Sequence, residues 1–173
     1  MNRARPRPGR ARGGTAAAKT ALACIALVAT SPACADGCTV SAPTLAFGPY
    51  DTINALTGTT TITVTCTHTN NPAVQFNYVL ALSSGPGSYA SRQMTGTGDT
   101  LTYNLYTTAA LTTVWGDGVT GGTATVAGSF KVPGGAGRSG NDTQTIYGRI
   151  GAVQNVLPGA YSTATPITIT ATY

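Results

Sequence analysis

Thr61-Ile62-Thr63-Val64-Thr65-Cys66 alternates without a break. Ile62, Val64 and Cys66 share one face and the threonines take the other. A period of two belongs to a strand with one buried face and one wetted face. Threonine, being β-branched, suits the pleated outer surface. Cys66 therefore points inward, and a partner cysteine must lie under the same sheet. Upstream, Cys38 and Val40 set the inward parity at the start of the domain, whereas Leu45 and Phe47 have the opposite parity. Pro43 lies between the two sets and is a natural place for a bulge or a strand break.

Downstream, similar patterning predicts strands over Ala73–Leu82, Leu101–Tyr106, Gly122–Phe130, Thr143–Ile150 and Pro166–Tyr173. Turn signals separate them: Gly85-Pro86-Gly87, Gly116-Asp117-Gly118, Gly121-Gly122, Pro133-Gly134-Gly135 and Pro158-Gly159. Short strands between Gly-rich turns, with no stretch of helical period, indicate an all-β sandwich or barrel. The inward cysteine tips the reading toward an immunoglobulin-like sandwich. Pro133–Gly140 reads as a flexible loop, because it lacks the Lys-Ser/Thr ending and the following helix of a phosphate-binding loop.

The first 35 residues do not belong to that fold. Arg3, Arg5, Arg7, Arg10, Arg12 and Lys19 precede the apolar run Ala21–Ala29, which leads to Ala33-Cys34-Ala35. A basic start, a short apolar run and a small-x-small site read as a secretory signal peptide over residues 1–35. The run is too short for a bilayer-spanning helix. The working domain is then 36–173, one domain's length. The formal charge of +5 is dominated by the leader. Residues 36–173 hold Arg92, Lys131, Arg138 and Arg149 against five aspartates, a net of −1. Such a balance supplies no basic patch for nucleic acid or an anionic membrane. Of the 4 cysteines, Cys24 and Cys34 leave with the leader. Cys38 and Cys66 remain, and in an exported chain an even pair reads as a disulfide. A lipid anchor at Cys24 or Cys34 is disfavoured by Ala21 and Ser31 three positions before them, where leucine is usual.

The inventory points away from catalysis. His68 is the single histidine. It follows a strand between threonines and reads as a solvated turn residue at the surface. No Gly-x-Ser-x-Gly elbow presents a serine. The aspartates are dispersed, with Asp117 and Asp142 expected to cap turns. No Asp-x-Asp spacing suggests calcium, and two cysteines are too few for zinc. No catalytic, metal or cofactor site is expected. Trp115 before Gly116 could stack on a sugar but reads better as a packing anchor.

Several blocks together resemble the spore coat protein U domain family, related to subunits of archaic chaperone–usher pili. They are Cys38-Thr39-Val40 with Phe47-Gly48-x-Tyr50; Arg92-Gln93-Met94; Leu101-x-Tyr103-Asn104-Leu105-Tyr106 leading to Val114-Trp115-Gly116-Asp117-Gly118; Tyr147-Gly148-Arg149-Ile150 with Gln154; Pro158-Gly159-x-Tyr161; and Ile167–Tyr173. The chain departs from the family at Thr107–Leu111 and at Thr163, where an acid or an arginine is common.

The resemblance implies a structural role. Pilin-like domains are sandwiches lacking one strand, and a periplasmic chaperone lends a strand to the gap. Another subunit's N-terminal extension later replaces it at an outer-membrane usher, a case of β-augmentation. In the last strand Ile167, Ile169, Ala171 and Tyr173 share a face, and this edge is the expected site of chaperone and strand pairing. With Asp36-Gly37 alone before Cys38, the mature chain reads as an acceptor without a donor strand. It is then a tip or initiating subunit, a pilin-like protein that never polymerises, or a chain cleaved further upstream. A pilus or coat subunit exported through the periplasm to the cell surface is the expected function. The rival reading is a secreted adhesin or lectin-like module using Trp115, Tyr89 and His68.

Overall fold

A computed structural model describes residues 37–96, 98–157 and 159–173. The expected leader and its cleavage site lie outside the described residues. Eight strands form two antiparallel sheets: β1 (Gly37–Ser41), β2 (Leu56–His68), β3 (Val74–Leu82), β4 (Arg92–Gly96), β5 (Asp99–Tyr106), β6 (Val126–Val132), β7 (Arg138–Ile150) and β8 (Ile169–Thr172). One sheet has the order β1-β2-β7-β5-β4 and the other β6-β3-β8. The fold is all-β and immunoglobulin-like, as the alternation predicts.

The core is built on the inward parity read for β2 from the sequence, joined by one face each of β3 and β5. Ile62, Val64 and Cys66 from β2 meet Tyr78, Leu80 and Leu82 from β3, with Leu101, Tyr103 and Leu105 from β5 beside them. Cys38 lies directly opposite Cys66 in the β1–β2 register, and the two are joined as a disulfide. That bond clamps an edge strand to the sheet and shortens the unfolded chain's reach. Replacing Cys66 by alanine is expected to lower stability by about 2–4 kcal/mol. Denaturant titration with and without reductant checks it; equal midpoints for both proteins would refute it.

Two side chains tie the sheets across the core. Trp115 is fully buried; its indole N–H donates to Leu80 O at 3.0 Å, while its backbone N–H donates to Leu105 O at 2.9 Å. The Tyr78 hydroxyl donates to Asp142 Oδ2 at 2.6 Å, joining β3 to β7. Burial first, and the neighbouring carboxylate second, push the Tyr78 pKa up to about 12.

Several boundaries differ from expectation. β7 starts at Arg138, not Thr143, and pairs with β2 along its whole length to Ile150↔Leu56. Gly140 permits this, because an added Cβ would sit 3.1–3.3 Å from Val132 and Phe130 of the overlying β6. Asp142 therefore lies within a strand and not in a turn. β6 starts at Val126 because the residues before it are folded onto Asp117. That carboxylate accepts from Val119 N, Thr120 N and the Thr120 and Thr123 hydroxyls, which together hold its pKa well below the usual range. β4 is an additional strand, paired with β5. The regular part of the C-terminal strand is Ile169–Thr172, paired with β3.

Candidate functional site

β1 ends at Ser41, just before Pro43, and the chain then leaves the sheet edge as a strap over residues 42–50. Among the described residues the strap makes no backbone–backbone hydrogen bond. The Thr60 hydroxyl donates to Pro43 O at 3.2 Å, and the Tyr50 hydroxyl to Gly151 O at 2.7 Å. Apolar packing does the rest. Gly58 and Gly148 are direct partners in the β2–β7 ladder and leave a window without side chains on the inner face. Leu45 and Phe47 fill it: a Cβ on Gly148 would lie 2.6 Å from Leu45 Cδ2 and 2.7 Å from Phe47 Cζ. Phe47 also meets the edge of Tyr103, with ring centroids 5.9 Å apart. The opposite parity of Leu45 and Phe47 thus reflects a chain that has crossed from the edge of one sheet toward the space between the two.

Across from the strap run residues 159–168 and β8. Between these walls is a groove of two adjoining parts, which share Thr44, Leu45, Phe47, Met94 and Tyr161 as lining. One encloses about 620 Å³ between Val40, Leu45 and Phe47 on the strap side and Ile167 and Ile169 on the other, with core residues such as Leu105 at its floor. The other, of about 600 Å³, continues past Tyr50 and Thr52 toward Val156 and Leu157. The first part has no charged residue in its lining. β1 and β8 are both edge strands. An edge strand presents unpaired N–H and C=O groups, so the groove combines an apolar floor with strand edges able to accept another.

Of the residues expected at the pairing edge, Ile167 and Ile169 line this groove and Ala171 is half-buried, while Thr168, Thr170 and Thr172 face solvent. Tyr173 lies beyond the last β3–β8 pair, 59% exposed, and borders a shallow cleft with Asn77 and Val79 on the outer face.

The other candidate positions are occupied by packing. His68 is not a solvated turn residue; it is 6% exposed, its ring meets Phe76, and Nε2 lies 3.1 Å from Pro72 O. The signal was in the sequence: the inward series Ile62, Val64, Cys66 reaches His68 at its next step, and β2 includes it. Tyr89 donates to Leu82 O at 3.0 Å and covers the Arg92 guanidinium at 5.3 Å. With Trp115 buried as well, the three residues of the adhesin reading do not form a shared surface. Among the described residues no cluster of metal-ligating side chains occurs, and no helix is long and apolar enough to cross a membrane.

A residue that strand patterning does not find is Arg92. It is fully buried, and burial pulls its pKa below the ordinary value. Its Nη1 donates to Asn104 Oδ1 at 2.5 Å, and Nη2 to Trp115 O at 2.8 Å and Ser83 O at 3.0 Å. All three acceptors are neutral, and among the described residues Nε has no hydrogen-bond partner. This bridge joins Arg92, Asn104 and Trp115, which lie far apart in sequence.

Two packed antiparallel sheets, with an apolar slot between edge strands β1 and β8, define an immunoglobulin-like sandwich. The Spore Coat Protein U domain model matches residues 24–170, and the chain belongs to that family. The family is associated with subunits of chaperone–usher pili and coats. No curated protein matches the chain.

Proposed function

We propose that this chain is a non-catalytic assembly subunit of a surface fibre or coat, and that it accepts a strand from a partner into the groove between the strap and β8. The groove itself carries this reading. It sets an uncharged hollow lined by the half-buried Val40, Leu45, Phe47, Ile167 and Ile169 between two strand edges, a combination that in a free domain invites aggregation. An extended segment with alternating apolar residues would supply the missing side chains and pair its backbone with β8. Its first partner is a periplasmic chaperone, its later one another pilin-like subunit delivered at an outer-membrane usher. Residues 1–35 direct export and are removed, so that 36–173 works at the cell surface, where a disulfide persists.

A synthetic ten-residue peptide alternating valine and threonine, mixed with the exported protein, tests the reading. It should raise the melting temperature and slow amide exchange at Ile167–Thr172 and along the strap. Unchanged exchange at β8 at saturating peptide would refute strand acceptance.

A further inference from the structure

The two parts of the groove meet at a neck. Leu45 and Phe47 of the strap, and Met94 and Tyr161 of the far wall, line both parts. The two sides of this neck are held in different ways. Met94 and Tyr161 adjoin a pair of backbone bonds: Thr95 N donates to Ser162 O at 2.8 Å, and Ser162 N to Thr95 O at 3.1 Å. The Tyr161 hydroxyl donates to Leu157 O at 2.6 Å, and Met94 lies in β4 opposite Leu101. Backbone pairing therefore fixes the far side.

Packing alone holds the strap side. Its two tethers sit at its ends, the Thr60 hydroxyl on Pro43 O and the Tyr50 hydroxyl on Gly151 O. Between them, residues 44–49 make no hydrogen bond among the described residues. Leu45 and Phe47 are half-buried, and the strap residues around them are exposed. Pro43 and Pro49 carry no N–H and cannot be drawn into a ladder. Gly48 has φ of 82°, and a Cβ there would meet nothing within 4 Å, so rotation about it is unobstructed. The strap can thus swing out by withdrawing two side chains from the window over Gly58 and Gly148, breaking no backbone bond. Exposing Leu45 and Phe47 is unfavourable, which keeps the closed arrangement dominant.

An extended ten-residue segment is about 33 Å long, too long for either part of the groove alone. We propose that Leu45 and Phe47 are a gate: in the free domain they close the neck, and a strand fills both parts only after the strap has swung out about Gly48. This gate presupposes the strand-acceptor reading of the groove and adds a conformational step to it. Only molecules with the gate open accept the full strand, so the apparent affinity falls below the intrinsic one by the open fraction. Closed, the gate shields part of the apolar lining and so lessens the hazard that an open slot beside strand edges presents.

A gate and a fixed wall predict opposite signs. Were Leu45 and Phe47 a fixed wall, truncating either would take contacts from the strand and weaken binding. As leaves of a gate, their truncation raises the open fraction. Phe47→Ala and Leu45→Ala should therefore each bind the ten-residue valine–threonine peptide about tenfold more tightly than the wild type, with the gain in the association rate. Stopped-flow anisotropy of the dye-labelled peptide on the exported protein measures this. On the wild type, the observed association rate should level off at the rate of opening as protein concentration rises. That measurement decides by itself should a variant unfold. No gain in either variant, or a wild-type rate that climbs linearly throughout, overturns the gate and leaves the groove reading intact. Failure of wild type and variants alike to bind the peptide overturns the groove reading, and the gate with it.

Discussion

Arg92→Ala is expected to lower stability by about 3–5 kcal/mol, a large fraction of a small domain's total. The guanidinium reaches Asn104 on β5, the Trp115 carbonyl beyond it and the Ser83 carbonyl after β3. It thus pins edge strand β4 to both sheets. Alanine leaves the Trp115 and Ser83 carbonyls without this donor, each a loss of about 1–3 kcal/mol where no water enters, while Asn104 Oδ1 keeps the Leu105 N–H. It also opens a void beneath Tyr89, whose ring stacks over the guanidinium. Removing an unpaired buried charge returns part of this, because desolvating a cation is unfavourable. Arg92→Met separates the contributions: it fills the volume and abolishes the charge but satisfies none of the acceptors. Denaturant unfolding should place Met between wild type and Ala, with an unchanged m value. A Met variant as stable as wild type would show that the bonds only offset the burial of the charge.

Strand patterning does not find that bridge because Arg92 breaks the rule that finds strands. β4 is five residues long, and an arginine occupies an inward position where the alternation calls for an apolar side chain. Only the resemblance singled out Arg92-Gln93-Met94, without assigning it a strand. β2, β3 and β5 were legible because each buries one unbroken parity of apolar residues against the other sheet. The early start of β7 was hidden by Gly140 and its glycine-rich approach, which read as a loop. Gly140 is required by tight packing under β6, and a sequence pattern cannot tell that need from flexibility. His68 was missed for a different reason. A histidine between threonines looks solvated, although the parity of the preceding inward residues places it inside. Half of the groove was visible: the Pro43 break and the reversed parity of Leu45 and Phe47 foretold a chain leaving its sheet edge. Its destination depends on Gly58 and Gly148 being paired partners 90 residues apart in sequence, a matter of long-range register.

The same geometry separates folding from function at Ile169. Were this side chain sealed in a finished core, Ile169→Asp would bury an unpaired charge and unfold the domain. Ile169 is instead half-buried at the groove wall, beside a lining that has space but no charge to pair with. In the free domain an aspartate there can turn toward water, so the expected loss of stability is modest, about 1–2 kcal/mol for the apolar contact given up. Once a strand fills the groove that water is gone, and the carboxylate is trapped against the incoming apolar side chains. The affinity for the valine–threonine peptide should therefore fall by a factor on the order of 100 or more, a loss of about 3 kcal/mol or greater. Thr170→Ser, on the solvent face of the same strand, should change neither quantity. Calorimetric titration of the exported protein with the peptide, beside thermal unfolding of each variant, measures both. An Ile169→Asp protein that binds the peptide as wild type does would mean that the strand pairs elsewhere, at another of the edge strands β1, β4 and β6. A variant that unfolds outright would mean that the groove closes over Ile169 in solution, so that β8 is an interior strand of a self-sufficient sandwich.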